Sequence, residues 1–181
     1  MILLARHGET DDNRPPLRFQ GRRDTPLNET GRRQAAALAE QLAGEDLASL
    51  WSSDLERARL TAEILSARLG LGEPVEDPRL SEGRRGTWEG RLFQDVERDE
   101  PEAWARWRAA DPTFRFPGGE TLVELQDRVL AALEDIRARG PLPALVVCHG
   151  GPIRAVLCRR HGTGLSAFHT WEVPNAAVVR V

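Results

Sequence analysis

Two short apolar runs end in the same pair of residues. Met1 to Ala5 lead into Arg6-His7-Gly8-Glu9-Thr10, and Ala144 to Cys148 lead into His149-Gly150-Gly151. A run of four or five apolar residues reads as a buried strand. A glycine directly after the His lets the backbone turn at once, so each imidazole is expected at the carboxyl edge of a sheet. Open α/β sheets bind ligands at that edge. If the two strands are neighbours, histidines from opposite ends of the chain meet there, with Arg6 between them and the sheet.

The segments between these strands alternate in character. Asn28 caps a helix whose apolar positions are Ala35, Leu38, Ala39 and Leu42, and Leu47 to Trp51 follows as a short strand. Ser53 or Asp54 caps the next helix, with Ala58, Ala62, Leu65 and Leu69 on its buried face up to Gly70. A strand is expected around Pro74 to Glu76, an irregular helix over 93–110, and a long helix carrying Leu122, Leu125, Val129, Leu133 and Ile136. After the second His, a helix runs from Gly151 to about Arg160, and two strands near 169–173 and 176–181 close the chain. Strands alternating with helices give a single-domain three-layer α/β/α fold with a mainly parallel central sheet. A domain of 181 residues removes about 70% of its unfolded-chain surface from water, enough for a real core.

Composition excludes several classes of function. The net charge of -3 is spread over interleaved Arg, Asp and Glu, without the one-sided basic block of a nucleic-acid binder. Every cation other than histidine is an arginine, and neither lysine nor tyrosine occurs, which codon bias toward GC explains more simply than function does. Cys148 and Cys158 lie in apolar segments without zinc-type spacing, so they read as free thiols in a reducing compartment. No apolar run approaches the ~18 residues of a membrane span, and Arg6 and Glu9 interrupt the first run too early for a signal peptide. The expectation is a cytoplasmic protein with no nucleic-acid or membrane partner. A homodimer stays open, because nothing in the sequence sets the oligomeric state.

The chemistry concentrates in a few places. A neutral imidazole is a competent nucleophile toward phosphorus, and the adjacent Arg6 guanidinium offers paired donors for phosphoryl oxygens. Arg57, in Ser53-Asp54-Leu55-Glu56-Arg57, sits in the first turn of a helix after a strand, where free N–H groups favour anions. Glu82, in the glycine-rich stretch Leu80 to Gly90, can serve as a general acid. His149-Gly150-Gly151 offers backbone N–H groups at a helix start. His161, at a helix end behind Arg159-Arg160, and His169, at a strand start, are read as structural. Trp104 and Trp107 fit either a small satellite core or a lid that stacks on substrate.

Together these boxes resemble the histidine phosphatase superfamily, also called phosphoglycerate mutase-like, over nearly the whole chain and in order. They are Arg6-His7-Gly8-Glu9-Thr10, Gln20-Gly21 with Asp24-Thr25-Pro26-Leu27, the SDLxRAxxTA box at 53–62, the acid segment Leu80 to Gly90, Pro117-Gly118-Gly119-Glu120-Thr121, His149-Gly150-Gly151 and Asn175-Ala176-Ala177-Val178. The loop between Asn13 and Arg18, with Pro15-Pro16, is a residue longer than usual. The resemblance implies one histidine phosphatase domain over 1–181 with a substrate-side insertion at 91–116. In it His7 is the phosphorylated nucleophile, Arg6, Arg57 and His149 clamp the phosphoryl group, and Glu82 is the proton donor. Thr10, Asn13, Gln20, Gly21 and Gly150 line the phosphate or substrate pocket.

The expected activity is hydrolysis of a small phosphorylated metabolite through a phosphohistidine, without metal or other cofactor. Monoester hydrolysis calls for accelerations up to ~10²¹, about 28 kcal/mol, whereas one preorganised donor supplies around 3 to 4 kcal/mol. A lone histidine is therefore insufficient, and a ring of fixed cations makes a metal unnecessary. Substrates of the short phosphatases it resembles include α-ribazole 5'-phosphate and sugar or glycerate phosphates. The alternatives are mutase-type phosphoryl transfer and a non-catalytic phosphate-recognising protein. The mutases it resembles carry longer insertions after the acid segment and a C-terminal tail, and this chain has little of either. Specificity is expected from loop 14–23 and from 91–116, which should flank the pocket mouth.

Overall fold

A computed structural model describes residues 1–181. Its sheet has five strands in the order β3-β2-β4-β1-β5, formed by β1 (Ile2–Arg6), β2 (Ser49–Ser52), β3 (Val75–Glu76), β4 (Ala144–Cys148) and β5 (Val178–Arg180). All neighbours are parallel except β5, which runs against β1. The two His-bearing strands do lie side by side. Their register pairs Arg6 with Cys148, so the next residue on each strand is a histidine.

Helices cover both faces. On one side α1 (Glu29–Leu42) and α2 (Glu56–Leu69) pack on Leu3, Ala5, Leu50, Leu145 and Val147. On the other, α5 (Leu122–Arg139) and α6 (Gly150–His161) pack on Ile2, Leu4, Ala144, Val146 and Cys148. Alternation along β1 and β4 thus feeds two cores, which is why both strands read as unbroken apolar runs. Asn28 caps α1 by accepting the Gly31 N–H at 2.9 Å. Thr121 and Glu124 form a capping box on α5.

Several boundaries differ from expectation. Residues 169–173 form no strand, because Leu165–Thr170 is a 3-10 turn that inserts Phe168 into the core and leads toward Pro174, which has no N–H to pair. The expected helix over 93–110 is two, α3 (Phe93–Asp99) and α4 (Pro101–Arg108), broken where Pro101 opens the second. The N-cap of α2 is Leu55, one residue later than expected, and Ser53 instead accepts the Leu55 N–H. Helix α6 begins at Gly150 rather than Gly151. The glycines after the histidines are not needed for a positive φ. Gly8 is required for space, since a Cβ there would strike the Gly31 carbonyl where β1 runs against the start of α1.

Phe19, Trp88, Val96, Trp107, Phe114 and Phe116 form a separate aromatic cluster, with Phe93 and Trp104 packed against it. It braces α3 and α4 beside the carboxyl edge of the sheet. The satellite-core reading of the tryptophans therefore holds, although Trp107 also faces the cavity described next.

Candidate active site

At the carboxyl edge the His7 and His149 rings stand 5.0 Å apart, centroid to centroid. His7 Nδ1 lies 2.6 Å from the Gly8 carbonyl. A carbonyl only accepts, so Nδ1 carries the proton and Nε2 keeps a free lone pair. Burial first, then the Arg57 and Arg6 charges, holds the His7 imidazole well below its ordinary value of 6.5. The ring is therefore neutral at physiological pH, as a nucleophile must be.

His149 is set up differently. Its Nε2 meets Ser53 Oγ at 2.8 Å, while Ser53 Oγ also accepts the Leu55 N–H at 3.2 Å. Ser81 donates its own hydroxyl to Asp54. With Leu55 already donating to it, Ser53 can give its proton to His149 Nε2, which leaves Nδ1 as an N–H donor. That Nδ1 is buried and has no partner.

Five more buried side-chain atoms share this condition, Ser52 Oγ and Trp171 Nε1 among them, and three of the five belong to residues named above for the site. Arg6 Nε, Arg57 Nε and Asn13 Nδ2 are buried without a hydrogen-bond partner, although buried polar groups nearly always find one. Each is aimed by its other bonds. Arg6 Nη1 donates to the Val173 carbonyl at 2.6 Å. Arg57 donates to the carbonyls of Gly21 and Arg23 at 2.8 and 2.7 Å. Asn13 Oδ1 accepts the Thr10 N–H at 2.8 Å. Burial pulls both guanidinium groups down to about 10, against help from Glu82. They stay cationic at neutral pH but poorly solvated, a cost that an arriving dianion relieves.

Glu82 faces the same space. Its carboxylate accepts the N–H groups of Gly83 at 2.7 Å and Gly151 at 3.1 Å, and Arg85 Nη2 lies 3.6 Å away. Gly151 has no side chain because a Cβ would occupy the carboxylate's position. Burial alone would raise the Glu82 carboxyl, but Arg85, the two N–H donors and Arg57 outweigh it and hold the group below 4.5.

A cavity of about 390 Å³ opens from His7. Arg6, Asn13, Gln20, Gly21 and Glu82 line it, as does His169, contrary to the structural role expected of it. Thr10 lies beneath the wall, accepting from Gln20 Nε2 at 2.5 Å and donating to Asn13 Oδ1 at 3.3 Å. Gly150 turns its open side toward Arg6 and Arg154. The far wall consists of Leu17, Arg18, Phe19, Phe93, Trp107 and Arg108, so loop 14–23 and segment 91–116 do flank the mouth.

Arg85, Arg108 and Arg154 were not singled out from sequence. Two of them carried a usable signal: Arg154 lies one turn after Gly150 and so shares its face of α6, and Arg85 lies three residues after Glu82 in the same loop. Arg108 had none, since only the packing of α4 brings it here.

A family model described as the histidine phosphatase superfamily (branch 1) matches residues 2–181. Phosphoserine phosphatase 1 of Hydrogenobacter thermophilus is 36% identical over 177 residues, covering 97% of this chain and 83% of the relative. The probable phosphoglycerate mutase GpmB of Photorhabdus laumondii is 40% identical over 184 aligned positions, covering 99% and 83%. Among solved structures, mycobacterial glucosyl-3-phosphoglycerate phosphatase complexed with VO3 superimposes with a TM-score of 0.88 at 34% identity, covering 98% of this chain and 88% of that one.

Proposed function

The chain belongs to the histidine phosphatase superfamily, branch 1, and from that premise we propose that it is a phosphatase hydrolysing a small phosphate monoester through a phosphohistidine on His7. The observation that carries this reading is a set of four buried, unpartnered donors, Arg6 Nε, Asn13 Nδ2, Arg57 Nε and His149 Nδ1, on residues close to a neutral imidazole with a free Nε2. A phosphoryl group seated there satisfies all four. The phosphoserine and glucosyl-3-phosphoglycerate phosphatases among its relatives support the reading.

In the first step His7 Nε2 attacks phosphorus in line, the P–O bond to the leaving group breaks, and Glu82 supplies the proton that the leaving alkoxide takes. In the second, water attacks the phosphohistidine, Glu82 takes its proton, and phosphate and free His7 are regenerated. Charge on the equatorial oxygens of a loose transition state is met by Arg6, Arg57 and His149. Those fixed cations and donors supply what a divalent ion would otherwise bring.

Hydrolysis is favoured over mutase transfer because the mouth is wet: Arg18 and Arg108 on its wall are exposed. A mutase has to keep its phosphohistidine from water. Cys148 and Cys158 are unpaired and buried, and burial pushes the Cys148 thiol up to about 12. Inert free thiols of this kind suit a cytoplasmic location, which is part of the proposal. No helix is long and apolar enough to cross a membrane.

The test is to trap the intermediate. Brief exposure to ³²P-labelled ester should leave acid-labile, alkali-stable label on the wild-type protein and none on His7→Ala. Turnover by His7→Ala at the wild-type rate would sink the mechanism. Interconversion of 2- and 3-phosphoglycerate faster than phosphate release would replace hydrolysis by mutase chemistry.

A further inference from the structure

Glu89 does not line the cavity, yet its carboxylate joins two parts of the site. One oxygen, Oε1, accepts both the Arg22 N–H at 3.0 Å and the Arg85 N–H at 2.9 Å. Gly21, at a φ of +49°, passes so close that a Cβ on it would strike the same oxygen. Arg22 lies between the two carbonyls that hold Arg57, those of Gly21 and Arg23. Arg85 belongs to the segment that carries Glu82. Neither step of the reaction uses Glu89 directly.

The planarity of the peptide bond makes the link direct. The Arg22 N–H and the Gly21 carbonyl belong to one rigid unit and point in opposite directions. That carbonyl accepts Arg57 Nη2 at 2.8 Å, so the plane is gripped by Glu89 on one side and by Arg57 on the other. The Arg84–Arg85 peptide is held alike: its N–H goes to Glu89, and its carbonyl accepts the Glu120 N–H at 3.1 Å. From this fixed point Arg85 reaches Glu82, with Nη2 3.6 Å from the carboxylate. Arg22 adds a further tie, donating through Nε to the Glu82 carbonyl at 3.2 Å.

Glu89 is itself anchored. It follows the 3-10 turn Gly86–Trp88, and its N–H donates to the Gly86 carbonyl at 3.1 Å. Trp88 is wholly buried in the aromatic cluster, and its Nε1 donates to Glu100 at 2.9 Å. Beside it, the Gly90 N–H donates to the Phe19 carbonyl at 2.7 Å and the Phe19 N–H to the Arg91 carbonyl at 3.0 Å, which ties the two segments together. An acceptor held in such a frame fixes the amides it meets.

We propose that Glu89 is a positioning residue that sets the Arg57 guanidinium and the Glu82 carboxyl relative to each other across the phosphoryl group, so that anion binding and leaving-group protonation both depend on its bridging oxygen. It acts through those residues and touches no reacting atom. The proposal rests on the phosphatase reading and adds to it how the anion clamp and the proton donor stay aligned. Alignment of this kind matters because a misplacement of about 1 Å can cost about 100-fold in rate.

Glu89→Met, which fills the same space without an acceptor, tests it with two readouts. Calorimetry with inorganic phosphate reports on Arg57. The kcat/KM for p-nitrophenyl phosphate over that for glycerol 3-phosphate reports on Glu82, since only the alkoxide needs the proton. Glu89→Met should raise the phosphate dissociation constant about tenfold and the ester ratio about tenfold, and Glu89→Gln, which keeps an oxygen in place of Oε1, should bring both back to within about twofold of the wild type. In a Glu82→Gln background Glu89→Met should leave the ester ratio unchanged, because it acts on that ratio through Glu82. A Glu89→Met protein that loses stability in urea but keeps wild-type phosphate affinity and ester ratio would reduce Glu89 to a fold contact and overturn the proposal. Movement of one readout without the other overturns it too, as does a glutamine variant no better than the methionine one. If Glu89→Met does not fold, Glu89→Asp, whose oxygens are drawn back from both amides, takes its place in the same measurements. If the wild type releases phosphate from neither ester, the phosphatase reading fails on its own. The phosphate dissociation constants then decide the proposal: the methionine variant must bind more weakly and the glutamine variant must not.

Discussion

Because Glu82 is held below 4.5 by Arg85 and backbone donors despite its burial, the free site presents a carboxylate across the neutral range. That is the form needed to take a proton from water in the second step. The proton needed in the first step then arrives with the substrate, whose phosphate has a second pKa of about 6, since a monoanion facing ionised Glu82 is equivalent to a dianion facing protonated Glu82. Accordingly kcat/KM should fall about tenfold per pH unit above the ester's second pKa. It should show no acidic limb near 6.5, because His7 stays neutral well below that value. An acidic limb at 6.5 in the pH profile would mean that His7 titrates normally and is not the buried nucleophile described. Glu82→Gln should cost an alkyl phosphate about 100-fold and p-nitrophenyl phosphate much less, because only the alkoxide leaving group needs the proton. Ser53→Ala removes the donor that fixes the His149 tautomer. It should lower kcat/KM about tenfold and weaken vanadate binding to a similar extent, with Ser53→Thr restoring both; vanadate binding that is untouched would refute the tautomer role. At this scale the sequence was legible where chemistry is local. His7, Arg6, Arg57, Glu82 and His149 sit in short motifs, whereas Ser53 acts through a contact with a residue far along the chain and could be read only as a helix cap.

The element that aims Glu82 is not a strand or helix but the segment from Arg79 to Arg84, and α5 holds it. From α5, Arg128 donates to the carbonyls of Arg79, Ser81 and Glu82 at 2.7, 2.8 and 3.0 Å, and it pairs with Glu120 at 2.6 Å. Glu120 in turn accepts the Arg84 N–H at 2.8 Å. Both side chains are largely buried, so removing one strands the other and leaves three carbonyls short of a donor. Arg128→Met should lose about 3 kcal/mol of stability in urea titration, and its kcat should fall further than its affinity for inorganic phosphate, since Arg6, Arg57 and His149 do not depend on this brace. Unchanged kcat in a destabilised variant would show that the brace serves folding only. From sequence, α5 was readable as a helix from its Leu122, Leu125, Val129, Leu133 and Ile136 stripe, and the buried positions agree. What periodicity could not supply was the work of Arg128, which lies off that stripe. For the same reason only the second of the two expected closing strands forms, as β5: 169–173 looks extended, yet His169 Nε2 is taken by the Trp107 carbonyl at 2.9 Å and Phe168 by the core, contacts that a window of local sequence does not contain.

Across the whole molecule the site carries a cost that pH should expose. His7 and His149 are buried, and burial followed by the Arg57 charge keeps both well below 6.5 in the folded protein, whereas in the unfolded chain they titrate near 6.5. Between those values the unfolded state binds protons that the folded state refuses, so stability falls as pH falls. Each histidine contributes up to about 1.4 kcal/mol per pH unit once pH is well under 6.5. Glu82 acts in the same direction but later, since its lowered value matters only as pH drops below 4.5. The window from about 6.5 to 4.5 therefore belongs to the histidines, with His169, lowered chiefly by burial, as a smaller third member. Denaturant titrations at stepped pH should show stability that is level above pH 7 and declines steeply from 6 to 5, and His7→Asn with His149→Asn should flatten most of that decline. Inorganic phosphate at about 100 times its dissociation constant should add about 2.7 kcal/mol to the wild type at pH 7. It does so by meeting the same four unpartnered donors, so the double variant, which lacks the His149 donor, should gain less. A wild-type protein equally stable at pH 5 and pH 7 would mean that the two imidazoles accept protons freely in the fold, and the neutral nucleophile on which the mechanism depends would be lost with them.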